Sequence, residues 1–246
     1  NTAMGVGVLK SNTSSNNTAT GAYALLSNTT GAYNIASGTY ALRYNTTGNY
    51  NTASGYQALT DNTTGSYNTA TGTGALRDNT TASNNTASGY QALLYNTTGA
   101  SNTASGAYAL DANTTGTNNT AFGKGAGSAI TTGGNNVCIG GDSGLAQNLT
   151  TGTGNVLVGQ YSHPNATDAE YANGIGYDIT AEGGYTTLGR AEDDIRAAHG
   201  VATWATVSDQ RYKKDIVDST AGLSFINALQ PRTFKYKTLG ELPTAF

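Results

Sequence analysis

Cysteine, methionine and tryptophan each occur once in this chain and proline three times, and charged side chains make up only 11% of its 246 residues. Each scarcity excludes something. A lone Cys138 forms no intrachain disulfide, and among the strand formers of N-N-V-C-I-G-G it reads as a small buried hydrophobe. Globular domains usually carry about a quarter charged residues. With so few large apolar side chains as well, an ordinary thick core is excluded. Disorder is not the alternative, because a net charge of −3 is nearly neutral. No basic stripe exists to neutralise phosphates, which argues against nucleic-acid binding. No apolar run approaches the roughly 20 residues of a membrane-spanning helix, so membrane insertion is not expected.

Chemistry-bearing patterns are equally sparse. His163 and His199 are far apart and lack Cys or acidic partners at ligand spacing, so neither a metal nor a cofactor is expected. In G-K-G-A-G-S at 123–128, Lys124 precedes the glycines that would cradle a phosphate; the stretch reads as a corner. Residues 17–118 hold three Asp and no Glu, too few for the paired carboxylates of a glycan-cleaving cleft. Asp193 and Asp194 are adjacent and share no face of a strand or helix. Catalysis on this part of the chain is not expected.

What the chain does have is a repeat. An Asn opens each unit at 17, 34, 51, 68, 85, 102, 119 and 136, always 17 residues apart. The unit reads N-T-A-S/T-G-x-x-A-L-x-x-N-T-T-G-x-x. It is too short for a helical pair and carries two turn signals, S/T-G and N-T-T-G. Thr, Tyr and Val favour strands, while Gly and Asn tolerate the positive φ of tight corners. The unit therefore predicts one coil of a β-solenoid, with two short strands and two corners. Coils stacked about 4.8 Å apart would make a rod of roughly 40 Å from nine units. Asn28, Asn45, Asn62, Asn79, Asn96 and Asn113 each begin N-T-T, a sugar-acceptor pattern that here reads as a corner bonding nearby backbone. Tyr33, Tyr50 and Tyr67 close successive units, and Tyr56 and Tyr90 share another position. Rings stacking between coils are expected, with an aromatic ladder for sugars as the alternative.

From Asn119 the units become more apolar: N-T-A-F-G-K-G-A-G, N-N-V-C-I-G-G, G-N-V-L-V-G-Q. Alternate Val and Ile residues should face one side of a strand. These stretches resemble the N-S-V-A-I-G units of YadA-like heads, the trimeric left-handed β-roll of trimeric autotransporter adhesins. Over roughly residues 1–190 the N-T-A-S-G units look like a polar relative, with Thr and Ser where that motif has Val and Ile. Which face of those coils is buried stays open. Residues 17–118 carry only Arg43, Asp61, Arg77, Asp78 and Asp111 as charges, a shortage that burial against copies of the chain would explain. A homotrimer is expected.

The language changes near residue 200. Residues 208–246 hold ten charged side chains, and Ile216, Leu223, Ile226 and Leu229 fall at helix-compatible spacing before Pro231. T-W-A-T-V-S-D-Q-R-Y-K-K-D-I followed by G-L-S-F-I-N-A-L-Q-P-R-T-F-K-Y-K resembles the start of the intramolecular chaperone domain of phage tail fibres and tailspikes. The resemblance implies C-terminal trimerisation, which nucleates folding of a β-rich shaft, and self-cleavage between Val207 and Ser208. The family pattern S-D-x-R-x-K falls on Ser208, Asp209, Arg211 and Lys213, implying Ser208 as nucleophile and Lys213 as its base, with Asp209 and Arg211 in support. The ordinary alternative is a Ser-Asp helix cap with two surface lysines.

The fold expected is thus mainly β: a 17-residue-coil solenoid or β-roll, homotrimeric, followed by a short α-containing segment. Its divisions are regular coils over 1–118, apolar YadA-like coils over 119–190, a neck over 191–207, and the first part of a chaperone-peptidase domain over 208–246. The start N-T-A-M-G-V-G-V-L shows no charged start and apolar stretch of a signal peptide and reads as cut from a longer protein. The function expected is a fibre shaft in a viral tail fibre or extracellular filament, partnered by itself and by a host-surface glycan or protein receptor. A bacterial trimeric surface adhesin without self-cleavage is the alternative. Ice binding by Thr ranks is a weaker one, since Ile35 interrupts them and the C-terminal pattern would lack a purpose.

Overall fold

The structure, a computed structural model, describes residues 1–144, 149–191 and 193–201 and the backbone of 205–206. The expected helix over 216–229 lies outside the described residues, as do Ser208, Asp209, Arg211 and Lys213.

The chain winds into a β-solenoid. Three-residue strands recur at Thr2–Met4, Thr18–Thr20, Ile35–Ser37, Thr52–Ser54, Thr69–Thr71, Thr86–Ser88, Thr103–Ser105, Thr120–Phe122, Val137–Ile139 and Val156–Val158. Each pairs in parallel with the next, and the longer strands Asn173–Tyr177 and Tyr185–Arg190 continue the same sheet. The register follows from the repeat. Ala53 pairs with Ala70 and Ala70 with Ala87, each shifted by one unit. Between Cys138 and Leu157 the shift is 19. Antiparallel pairing of Tyr185–Arg190 with Asp193–Ala198 ends the parallel stack.

One expectation needs correction: each regular coil carries one strand, not two. The rest of the coil is a succession of turns still tied to both neighbours by backbone bonds. Gln57 N–H donates to the Thr39 carbonyl at 3.0 Å, Leu59 N–H to Ala75 at 3.0 Å and Asp61 N–H to Arg77 at 2.9 Å. The cause lies in left-handed residues that alternate along this side, such as Tyr40 (φ 63) and Leu42 (φ 50). They keep the chain contracted while turning alternate amides toward adjacent coils, so the coils stay bonded to one another here without an extended strand. A non-Gly residue in that region costs about 1–2 kcal/mol. Leu42 is fully buried, and that burial contributes about 1.5–3 kcal/mol, enough to offset the strain.

The core is thin, as the composition requires. Columns of Ala (Ala53, Ala70, Ala87), Ala again (Ala58, Ala75, Ala92) and Leu (Leu59, Leu76, Leu93) run up the solenoid, all fully buried. In later coils Cys138 and Leu157 continue the first column, and Ile130 and Leu149 occupy a column that is Asn before them.

Cys138 is fully buried, as its neighbours suggested, and burial pushes its thiol up to about 12. At pH 8 the thiolate fraction is then on the order of one in ten thousand. A thiol-reactive probe at that pH is expected to leave the native protein unmodified and to label it stoichiometrically once denaturant is added. Rapid labelling of native protein would contradict this burial.

Candidate functional site

Three outer surfaces and one inner ladder carry the polar groups. The ladder was the least visible from sequence. Asn62 sits at the N-T-T corner, fully buried, and its Nδ2 donates to Asn45 Oδ1 at 2.7 Å and to the Gly65 carbonyl at 2.9 Å. Asn79 Nδ2 then donates to Asn62 Oδ1 at 2.8 Å, and the chain of amides runs from Asn12 to Asn113. A second column uses the unit-opening Asn. Asn51 Nδ2 donates to the Gly65 carbonyl at 2.8 Å, while its Oδ1 accepts the Asn68 backbone N–H at 3.0 Å. These bonds reach along the stack as well as within the corner. The acceptor nitrogens of the N-T-T pattern are therefore enclosed, and the folded coil offers them to no sugar-transferring enzyme.

The first outer surface is the strand face. Central strand residues point inward and flanking ones outward, so Thr52 and Ser54 lie outside while Ala53 is buried. The same rule puts Val137 and Ile139 outside and Cys138 inside. Thr18, Thr52, Thr69, Thr86, Thr103 and Thr120 form one hydroxyl rank, broken by exposed Ile35. Farther along, the face turns apolar: Phe122 is 62% exposed, Ile139 39% and Ile175 46%.

The second surface is the rank of unit-closing tyrosines. Tyr33 and Tyr50 stack at 4.9 Å and 2° between planes, and Tyr50 and Tyr67 at 5.0 Å and 6°. The rings use their faces on one another, as the stacking expectation had it, and between neighbours no face is left for a sugar.

The third surface begins beyond the Gly corner that follows each strand. Arg43 lies over the rings of Tyr40 and Tyr44 at 5.0 and 4.7 Å. Tyr40 meets Tyr56 edge-on at 6.0 Å, and Tyr90 meets Tyr108 at 5.2 Å. Arg77 pairs with Asp78 through two bonds of 2.6 and 3.1 Å, which hold its guanidinium pKa above the usual value. Asp61 is raised by burial and then by Asp78, against the opposing pull of Arg77 and Arg43. Burial also raises Asp111, whose Oδ1 has no hydrogen-bond partner, and Arg43 Nε is likewise unpartnered. The five charges of residues 17–118 thus share one facet. Counting modulo 17 puts each of them at the tenth or eleventh place of its unit, a signal present in the sequence though it says nothing of adjacency by itself.

His163 and His199 do not come together with other ligands, and among the described residues no group of three or more His, Cys, Asp or Glu could hold a metal. Asp193 and Asp194 occupy successive places of one strand. None of the candidate peptidase residues can be placed, since Ser208, Asp209, Arg211 and Lys213 lie outside the described residues.

In class, then, the described chain is a β-solenoid shaft, slender-cored and nearly uncharged. Beyond it, residues 208–244 match the Peptidase_S74 family, chaperone of endosialidase. No curated protein and no solved structure matches the chain. A repetitive β-solenoid followed in sequence by a segment similar to this chaperone family fits a tail-fibre-like protein.

Proposed function

We propose that the chain is the homotrimeric shaft of a viral tail fibre or related extracellular filament that contributes to host attachment. The observation that carries this is the strand face. A monomeric solenoid would leave Phe122, Ile139, Val158 and Ile175 in one continuous apolar ribbon on its outer side. Such ribbons mark contact surfaces, and a fibre places the same ribbon on every copy, so copies of this chain are its natural cover. The N-S-V-A-I-G likeness and the shortage of charge support the same arrangement. A bacterial surface adhesin would use the same ribbon, and differs in needing a membrane anchor elsewhere in its gene.

The C-terminal segment fixes the register of the copies and then separates by cleavage between Val207 and Ser208. Ser208 Oγ adds to the Val207 carbonyl, the peptide C–N bond breaks to leave an ester and a free Ser208 amine, and water hydrolyses the ester. Lys213 takes the hydroxyl proton and returns one to the leaving amine. That role requires desolvation to lower the lysine pKa from about 10.4 towards neutrality. The family match and the S-D-x-R-x-K pattern support this reading.

Sedimentation equilibrium tests the assembly. Full-length Ser208→Ala, which stays uncut, is expected at three times the chain mass, and the same protein with Ile139→Asp and Ile175→Asp at the chain mass, with its far-UV circular dichroism retained because both positions are already on the outside. A monomeric Ser208→Ala protein would overturn the reading.

A further inference from the structure

Each strand from Thr18–Thr20 to Val156–Val158 turns two residues outward, one on either side of its buried centre, and none of these outward residues is charged. Arg43, Asp61, Arg77, Asp78 and Asp111 all stand on the facet beyond the glycine corner, and Lys10, Lys124 and Asp142 are likewise off the strands. Surfaces that face water normally carry interspersed charge. The strand face lacks it along its whole length, the polar coils included.

The hydroxyls of that face are also unused. At the Thr-Thr corner, Thr46, Thr63 and Thr80 Oγ1 donate to the Thr63, Thr80 and Thr97 carbonyls of the next coil at 2.9, 2.9 and 3.1 Å. On the strand face of the polar coils, Thr20 Oγ1 donates to Ser37 Oγ at 3.3 Å. From Thr52 to Thr103 the strand hydroxyls bond to no group among the described residues. They form two parallel ranks, about 4.8 Å from coil to coil and about 6.7 Å apart across one strand. Threonine is stiff about χ1, so the ranks are ordered before anything meets them.

The chemistry selects the occupant. A hydroxyl donates one hydrogen bond and accepts two, so a rank of them pairs with another rank of its own kind, where like charges would repel. A partner that meets both ranks coil after coil must repeat at the same interval, and a copy of this chain does. The ranks also run directly into the apolar ribbon: Ser105 pairs in register with Phe122, and Phe122 with Ile139. A rod that lays its ribbon against other copies brings its ranks to them as well.

Ile35 fits the same arrangement. It stands half exposed in the Thr rank, between Thr18 and Thr52. With copies in equal register, the Ile35 side chains form one apolar layer. A slip of one coil sets each against hydroxyls and leaves those hydroxyls unpaired. We propose that copies of this chain meet strand face to strand face along the polar coils too, through a hydroxyl seam whose register Ile35 marks. This rests on the homotrimeric shaft reading and extends its contact beyond the ribbon.

Full-length Ser208→Ala protein carrying Thr86→Cys tests it, because the buried Cys138 does not compete for a thiol reagent. A bifunctional maleimide spanning about 10 Å, the spacing of packed sheets, is expected to link copies into dimers on a denaturing gel. Each chain offers one thiol, so the third copy stays single. Tyr95→Cys, on the charged facet, is expected to yield single chains. Thr69→Asp combined with Thr86→Asp sets like charges in the seam. It is expected to raise the protein concentration at which trimers dissociate about tenfold or more. Far-UV circular dichroism is retained because both places are already outside, and Tyr95→Asp associates like its parent. Trimers in which Thr86→Cys links no better than Tyr95→Cys, or undiminished association of the double Asp variant, overturn the seam alone. A Ser208→Ala parent that sediments as a monomer overturns the shaft reading instead.

Discussion

Under denaturing conditions the full-length wild-type product is expected to appear in the mass spectrum as two polypeptides, the second beginning at Ser208, and Ser208→Ala as one. The effect is all or nothing because the nucleophile is covalently part of the reaction; without the hydroxyl no ester forms. The base can be tested separately. Lys213→Arg keeps the positive charge but cannot deprotonate, so it also stays whole. Lys214→Ala, altering the neighbouring lysine, is expected to cleave as wild type. If wild type and Ser208→Ala both remain one chain, Ser208 and Lys213 lose their catalytic roles and the segment acts at most as a retained clamp. Trimer formation by uncut Ser208→Ala would show that assembly precedes cleavage.

Asn62→Ala destabilises the solenoid by about 3–5 kcal/mol, counting two groups that lose partners inside the stack and the space left by the amide. Three bonds disappear: those donated to Asn45 Oδ1 and the Gly65 carbonyl, and the one accepted from Asn79. Asn45 Oδ1 then has no donor, and Asn79 Nδ2 keeps only its bond to the Ala82 carbonyl. Asn113 provides the control. It is the last amide of the column, followed by Ile130, and its Oδ1 already has no partner. Asn113→Ala breaks the bonds to Asn96 and Gly116 but orphans no donor above it, so its effect is smaller. Denaturant titrations read by circular dichroism measure both. Equal losses, or an Asn62→Ala change within about 0.5 kcal/mol of wild type as for a surface site, would mean that the amide column does not hold the coils together.

Much of the architecture followed from period alone. Seven equal intervals of 17 residues fix a one-coil unit, and stacking identical units fixes parallel in-register pairing, because every place in a coil meets its own copy. Cys138 was readable as a small buried hydrophobe from its strand-like neighbours, and the structure places it in the column of Ala53 and Ala70. The break near residue 200 was legible as a change in charge density, and the S-D-x-R-x-K pattern pointed to the family that residues 208–244 match.

Which face of a coil is interior was not legible. In N-V-C-I-G the larger apolar residues, Val137 and Ile139, are outside and the smaller Cys138 inside, the reverse of what hydrophobicity suggests. A coil of 17 residues encloses little volume, so its strand admits small side chains inward, and the bulky ones go out to form a surface that a single chain leaves uncovered. Nor could sequence distinguish a surface corner asparagine from a buried one. Asn62 is polar and sits in a turn, yet its partners, Asn45 and Asn79, are each 17 residues away and become neighbours only when the coils stack. The sequence set the repeat and therefore the identity of every partner. The closed coil decided which side chains point into it, because hydrogen bonding and volume are satisfied only in three dimensions.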